Sequence, residues 1–416
     1  MTGPRLTRRS VMATAAALTA TGLSPRRALA ATEVGYWHHF TGQSEVAGFE
    51  AVAKLFAGGH PDVALMAENI PSAEFMAKLT NAIVAGSQPD TAMMNTERFP
   101  DIHGMGSLVD LTDKVKGWPR AKDFPDSRWQ AVTVDGRIYG VPMFAFVNWM
   151  YYRKDWFDEA GIAGPPTTME EFLETAVKMT DPSKNRFGFG LRGGSAGQNY
   201  VIDMFKAYGS PIVKDGKAAI DKPKALEALR FYTELHTKHK VTPPSAPNDS
   251  YRQIMEAFRS GQTAMMWHTT GSLGELSQSL KPVEQFMSAV RPKGPVTWPA
   301  RYDFGYNGVL NAEKLDAAWE WVSFWGEPDA EITLLQTSGF FPPSTAVRDD
   351  PRITSQPILA PAFVAMEQSF APDQFPGGSA WATGVVLPEF QKILVGQTTP
   401  EAALDAMIRG LEKTLG

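Results

Sequence analysis

Apolar residues recur along this chain with two periods, and the periods alternate. Residues 33–38 read as a strand, and after them Val46, Phe49, Val52, Ala53 and Phe56 fall at helical spacing, which predicts a helix over 44–57 and a second strand over 62–67. Gly58-Gly59 is the expected stop of that helix, since glycine accepts the left-handed conformation common at a helix C-terminus. The same order returns as a helix over 73–85, a turn at Gly86-Ser87-Gln88-Pro89 and a strand over 91–95. Strand–helix–strand repetition predicts an α/β fold with parallel, doubly wound sheets, whose ligands bind at the carboxyl ends of the strands.

Beyond Val132 the texture changes. Asp135-Gly136-Arg137 predicts a hairpin turn, and residues 144–152 an apolar strand. Thr168 and Glu171 form a capping box before a helix that turns Met169, Phe172, Ala176 and Met179 inward. A Gly-rich stretch over 188–197 precedes helices over 200–208 and 223–239. The Pro-rich segment 241–248 is expected as a stiff surface connection, followed by a helix over 251–260 and a strand over 263–267. Trp319, Trp321 and Trp325 recur near helical spacing, as a core stripe does.

The N-terminus departs from this pattern. Thr7-Arg8-Arg9-Ser10-Val11-Met12 leads into thirteen apolar or small residues, 11–23, and then Ala28-Leu29-Ala30. A cationic head, a short apolar middle and a small-residue site read as a removable export signal with cleavage after Ala30; the paired arginines resemble a twin-arginine signal. Thirteen residues are too few to span a bilayer. Removal leaves 386 residues, more than one ordinary core holds, so two lobes are expected. The leader's five arginines accompany no acid, so its loss takes the formal charge from −5 to −10, which argues against nucleic acid as a partner. Without any cysteine the chain has no disulfide, no thiolate chemistry and no lipid-bearing cysteine, so a soluble periplasmic protein is expected.

Four stretches, taken in order, resemble the extracellular solute-binding proteins of bacterial ABC importers, in the carbohydrate-binding, maltose-type branch. They are Ala85-Gly86-Ser87-Gln88-Pro89-Asp90; Gly136 to Pro142 with Tyr151-Tyr152-Arg153-Lys154-Asp155-Trp156-Phe157; Ala160-Gly161-Ile162 with Pro165-Pro166-Thr167-Thr168; and Phe258-Arg259-Ser260-Gly261-Gln262-Thr263-Ala264-Met265-Met266. Arg153 stands where the family usually has the asparagine of Tyr-Asn-Lys, at the exit of a strand. The resemblance implies a two-lobe periplasmic binding protein fold, each lobe a doubly wound sheet, joined by hinge strands that cross at 144–148 and 303–310. Lobe one would be 31–144 plus 305–335, and lobe two 145–304 plus 336–416. It implies a monomer that carries a carbohydrate to membrane permease subunits, performs no chemistry and needs no cofactor.

A sugar presents hydroxyls and apolar C–H faces, so its site needs aromatic platforms and short polar forks in a concave cleft. On the first strand, alternation sends one of His38 and His39 away from the cleft, and His39, nearer the strand end, is the residue expected to face it. Gln43 and Ser44 stand at the helix N-terminus beyond, where free N–H groups favour oxygen ligands. Adjacent histidines on a strand cannot chelate one ion, so no metal is expected. The family pattern points to Asn95, Glu97 and Arg98 after the third strand, and to Phe146 with Asn148 two residues on along the first crossing. Gly194 and Ser195 offer a flexible turn whose backbone can approach a ligand. Further family positions are Trp267 and Thr269 after the 263–267 strand and Trp381 as a stacking platform, and the close backbone approach that glycine allows makes Gly305 and Tyr306 candidate contacts near the second crossing.

Two other readings stay open at this level. Glu97 and Asp303 are the carboxylates of an exported glycan-active enzyme, if one exists here. Arg98 and Arg192 are the nearest cations for a sulfonated or phosphorylated sugar.

Overall fold

The computed structural model describes residues 31–370 and 372–416, and the side chains of Ala73 and Phe146 also lie outside the described residues. The export-signal reading falls on residues 1–30 and so lies outside them too. The described residues form twelve strands: β1 (Thr32–His38), β2 (Val63–Asn69), β3 (Thr91–Asn95), β4 (Thr133–Val134), β5 (Arg137–Ile138), β6 (Val141–Tyr152), β7 (Phe187–Gly190), β8 (Val213–Lys214), β9 (Lys217–Ala218), β10 (Thr263–Thr269), β11 (Met287–Ala289) and β12 (Tyr302–Val309). Eight of them make one sheet in the order β2-β1-β3-β12-β6-β10-β7, with β11 also on β6.

The predicted parallel winding holds for β1 with β2 and for β1 with β3, with one helix between β1 and β2 and another between β2 and β3. It fails at the middle of the sheet, where β12 runs antiparallel to both β3 and β6, and β6 runs antiparallel to β10. The reason is that β6 and β12 are crossing strands, not products of a βαβ unit. Val141–Tyr152 is twelve residues long; Val141 to Val147 pair with β12, whereas Asn148 to Tyr152 pair with β10. One continuous strand therefore belongs to two half-sheets, and the molecule has the two-lobe α/β architecture that the resemblance implied.

Local chemistry accounts for the elements around the cleft. Along β1, Val34, Tyr36 and His38 are buried while the residues between them are less so, the alternation of a half-covered strand. They pack on Phe49, Val52 and Phe56 of the helix Gln43–Gly59 and on Trp321. That helix does not end at Gly58-Gly59 in a left-handed residue; it runs through both to His60, at φ −127°, whose ring stacks on Phe56 at 4.5 Å. The left-handed cap belongs to the next helix, Ser72–Ala85, which closes on Gly86 at φ 66°. Trp321 and Trp325 are core as expected, and Trp319 meets the edge of Trp118.

The Pro-rich connection is on the surface only in part, at Pro244, Ser245 and Asn248. Val241, Ala246 and Pro247 are buried, and the carbonyls of Val241 and Ala246 accept from Phe189 N–H and Gly193 N–H, so the segment lies beside β7. No helix among the described residues is long and apolar enough to cross a membrane.

Candidate functional site

A cavity of about 450 Å³ opens where β1, β3, β6, β10 and β12 end or cross. One wall carries His39, Glu45, Ser72, Asn95, Glu97 and Arg98; the opposite wall carries Arg192, Tyr200, Asp203, Tyr251, Arg252 and Thr269; the crossing strands add Phe144, Asn148, Arg301 and Asp303. Phe144 and Phe340 stack with centroids 4.3 Å apart and planes 9° apart, and Phe40 lies 5.8 Å and 5.9 Å from them, so one side of the cavity is an aromatic floor.

The opposite side is a chain of charges. Arg301 donates from Nε to Asp203 Oδ1 at 2.7 Å and from Nη1 to Glu97 Oε1 at 2.5 Å. Asp203 also accepts from Arg291 Nη1 at 3.2 Å. Asp203, Arg291 and Arg301 are buried, whereas the Glu97 side chain keeps 35 % of its surface. Burial alone would lower the Arg301 pKa, but Asp203 and Glu97 outweigh it and hold the guanidinium charged. Asp303 sits in the same network, accepting from Thr96 N–H at 3.3 Å; burial, then the charge of Glu97, pushes its carboxyl up to about 7.

Arg98 is fixed by its neighbours. Its backbone N–H bonds Asn95 Oδ1 at 3.0 Å, its Nη2 donates to the oxygens of Ser72 at 3.0 Å and 2.8 Å, and its guanidinium lies 5.7 Å over the Phe75 ring. His39 meets the edge of the same ring at 5.0 Å, and burial, followed by the charge of Arg98, lowers its pKa to about 3, so the imidazole is neutral at ordinary pH. Glu45 accepts from Thr41 N–H and Gly42 N–H at 2.8 Å and 3.0 Å, and burial raises its pKa. The arrangement offers fixed donors and acceptors beside an aromatic surface, the combination that holds a hydroxylated ligand.

Of the residues singled out from sequence, His39, Asn95, Glu97, Arg98, Asn148 and Thr269 line this cavity. His38 is turned away, packed on Phe49 at 4.2 Å. Gln43 is exposed beside an adjoining groove, not in the cavity. Ser44 is buried against Gly274, in whose place a Cβ would lie 3.1 Å from its own. The side chain of Phe146 lies outside the described residues. Gly194 is no free turn: its N–H bonds Asp249 O, and a Cβ there would meet Ser250 Oγ at 2.5 Å, while Ser195 N–H also bonds Ser250 Oγ. Gly305 lies under the Phe144 ring, where a Cβ would meet it at 2.4 Å, and Tyr306 is buried with its hydroxyl on Arg128 O.

Neither tryptophan is a platform. Trp267 is enclosed, with Phe172 at 5.1 Å, Tyr232 stacked at 5.9 Å and the Arg291 guanidinium at 5.1 Å. Trp381 is buried too, its indole N–H donating to Met407 O at 2.9 Å. Their faces are occupied by protein. The residues that sequence reasoning missed are the phenylalanine floor, Tyr200, Tyr251, Asp203 and Arg301. Asp203 left a signal: with Tyr200, Met204 and Ala207 it occupies the inward stripe of the helix Gly197–Ala207, an acid where an apolar residue is expected.

Residues 41–332 match the family of bacterial extracellular solute-binding proteins, and the chain belongs to that family. A binding protein of Brucella abortus is 26 % identical over 365 residues, 86 % of this chain and 87 % of that one. The maltotriose-binding protein of Pyrococcus abyssi is 24 % identical over 359 residues, 84 % of this chain and 75 % of that protein. In three dimensions the chain is similar to the maltose-bound MalE3 of T. maritima, with a TM-score of 0.84, 22 % identity and coverage of 92 % and 100 %. Similarity at that level establishes the shared two-lobe fold.

Proposed function

We propose that this protein is the solute-binding component of an ABC importer, which takes a sugar, oligosaccharide or polyol into the cleft and presents it to membrane permease subunits. The observation that carries the reading is the cavity itself, in which Asn95, Glu97 and Arg98 on one wall, Thr269 on the other and Asn148 at the crossing face a shared space floored by Phe144 and Phe340. Relatives named for maltotriose and mannitol support a hydroxyl-rich ligand. The lobes divide as 31–144 plus 305–335 and 145–304 plus 336–416, and the protein works as a periplasmic monomer after loss of residues 1–30. The bond from Gln374 Nε2 to Thr96 O, at 2.6 Å, and the Arg301–Glu97 pair tie these lobes across the cleft and support a closing motion about β6 and β12.

The enzyme reading has less support because the Glu97 carboxylate, which would partner Asp303, is engaged by Arg301. An anionic sugar retains one supporting observation: Arg98 and Arg192 both line the cavity, and neither has an ion pair among the described residues. A thermal-shift screen of monosaccharides, oligosaccharides, polyols and sugar acids tests the reading. A ligand at one hundred times its dissociation constant adds about 2.7 kcal/mol of stability. A shift with a neutral saccharide or polyol is the expected result; a shift with sugar acids alone moves the assignment to the anionic class, and product release without a shift moves it to an enzyme.

A further inference from the structure

Tyr251 lines the cavity, and two buried side chains behind it decide which way its hydroxyl proton points. The residue opens the helix Tyr251–Arg259; His268 on β10 and Ser272 in the turn that follows are both fully buried. The rings of Tyr251 and His268 lie 4.2 Å apart. Glu45 and Glu275 act on the Tyr251 hydroxyl through their charge and Thr269 through its side chain, and all three line the cavity, so the hydroxyl stands among groups that face the ligand space.

The bonds among these residues close into a ring. His268 Nε2 lies 3.2 Å from the backbone carbonyl oxygen of Tyr251, His268 Nδ1 is hydrogen-bonded to Ser272 Oγ, and Ser272 Oγ lies 3.0 Å from the hydroxyl oxygen of Tyr251. A carbonyl oxygen can only accept, so His268 carries its proton on Nε2 and donates it there. Burial, followed by the charge of Arg192, lowers the His268 pKa to about 3, so the imidazole has no second proton and Nδ1 accepts. The hydroxyl proton of Ser272 goes to Nδ1. That leaves the bond between the two hydroxyls to the Tyr251 proton, which the phenol retains because burial, followed by the charge of Glu45, pushes its pKa up. Tyr251 therefore donates inward to Ser272, and its oxygen keeps only lone pairs for the cavity.

We infer that Tyr251 is a specificity-determining contact whose hydroxyl is fixed by Ser272 and His268 as an acceptor alone, so that the cavity at this point selects a ligand hydroxyl in its donor role. A tyrosine without such a relay turns its O–H to suit its partner and takes an ether oxygen or a hydroxyl alike. His268 and Ser272 are positioning residues, since neither lines the cavity. The inference rests on the carbohydrate reading of the cavity and adds to it the direction of one hydrogen bond.

Two measurements on the full mature chain test it. Nitrogen NMR of isotopically labelled histidine, assigned by the signal lost in His268→Gln, is expected to find His268 neutral and protonated at Nε2; a proton on Nδ1 overturns the relay. Calorimetric titration then uses maltose, maltotriose and D-mannitol, followed by the monodeoxyfluoro derivatives of whichever binds most tightly, because fluorine cannot donate. One derivative is expected to bind about ten-fold more weakly than its parent sugar, the loss of a neutral hydrogen bond that leaves a polar group unpaired. That penalty should vanish in Tyr251→Phe, which has no acceptor, and shrink several-fold in Ser272→Ala, where the freed O–H can turn towards the fluorine. A general loosening of the fold would instead weaken every derivative alike. A set of derivatives in which no penalty depends on Tyr251, or a Ser272→Ala variant that keeps the parent penalty, overturns the inference alone. Failure of all three sugars to bind overturns the carbohydrate reading and the role of Tyr251 with it, and so is told apart from failure of the relay.

Discussion

Arg291 and Arg301 grip the two oxygens of one carboxylate, Asp203, yet they end in different surroundings. Arg291 is enclosed between the rings of Tyr200 and Trp267, at 4.8 Å and 5.1 Å, and its Nη1 also donates to Pro299 O. Arg301 continues outward to Glu97, whose side chain is about one-third exposed. The same three-residue motif is thus structural at one end and presented to the cleft at the other. The difference teaches that a charge network in a binding cleft is not uniformly functional: desolvation is complete where Arg291 lies and relieved where Glu97 meets the cavity, and the energetic weight should fall accordingly.

Asp203→Ala attacks the buried end and should have the largest effect. It leaves two buried guanidinium groups without their shared counter-charge, a change expected to cost about 3–5 kcal/mol. Denaturant unfolding measures it. A loss under about 1 kcal/mol would mean that water reaches this end of the network, which would erase the contrast with Glu97. Trp267→Ala belongs to the same region, since it removes a ring packed on Phe172, Tyr232 and Arg291, and is expected to cost stability in the same range. A variant that keeps its midpoint but loses affinity for a saccharide would return Trp267 to the ligand.

The middle of the network is tested by pH. Asp303, raised to about 7 by burial and Glu97, and Glu331, raised to about 8 chiefly by burial, are both protonated in the fold at pH values where the unfolded chain has released the proton. Their contributions are therefore full below the unfolded carboxylate range and are lost as pH rises through about 7 and about 8. The buried histidines act in the opposite sense: His38, His39 and His268, lowered to about 4, 3 and 3 by burial, cost stability as pH falls below about 6.5. Between pH 6.5 and 8 only the carboxyl groups contribute a slope, so unfolding free energy should fall across that window. Asp303→Asn should flatten its lower part and leave the Glu331 part in place. A slope identical to that of the parent protein would place Asp303 in ordinary ionised form.

How much of this was legible before the fold is clearest from residue pairs. His38 and His39 were separated correctly by strand alternation, because β1 is covered unequally on its two sides. The same reasoning had no purchase on Trp267, because β10 is buried at six successive positions and alternation carries no face information there. Trp381 sits in a one-turn helix and hydrogen-bonds a residue twenty-six positions on, a distance at which local pattern says nothing. Asn95, Glu97 and Arg98 came from the family resemblance, which implies that the loop after the third strand faces the cleft, and all three line the cavity. Arg301 and Phe340 were not, since each reaches the cleft by long-range pairing of crossing segments: Phe340 stands next to the bridge between Phe341 and Ala145, and Arg301 accepts Asn148 N–H at its carbonyl.

The smallest effect on folding is expected at the outer end. Glu97→Gln keeps the size and a hydrogen-bonding oxygen but removes the charge that Arg301 meets in the cleft; Arg301 retains Asp203, so no buried guanidinium is abandoned. A partly exposed pair of this kind contributes about 1 kcal/mol or less to stability. Affinity should respond more strongly, because a carboxylate that accepts from a ligand hydroxyl makes a charge-assisted bond, and its loss corresponds to roughly a ten-fold or greater weakening. Parallel unfolding and titration of Asp203→Ala and Glu97→Gln give the comparison directly. If Glu97→Gln unfolds as readily as Asp203→Ala, the network is one structural unit and the cleft end has no separate role; if it keeps both midpoint and affinity, the ligand is held by Asn95, Arg98 and Asn148 without it.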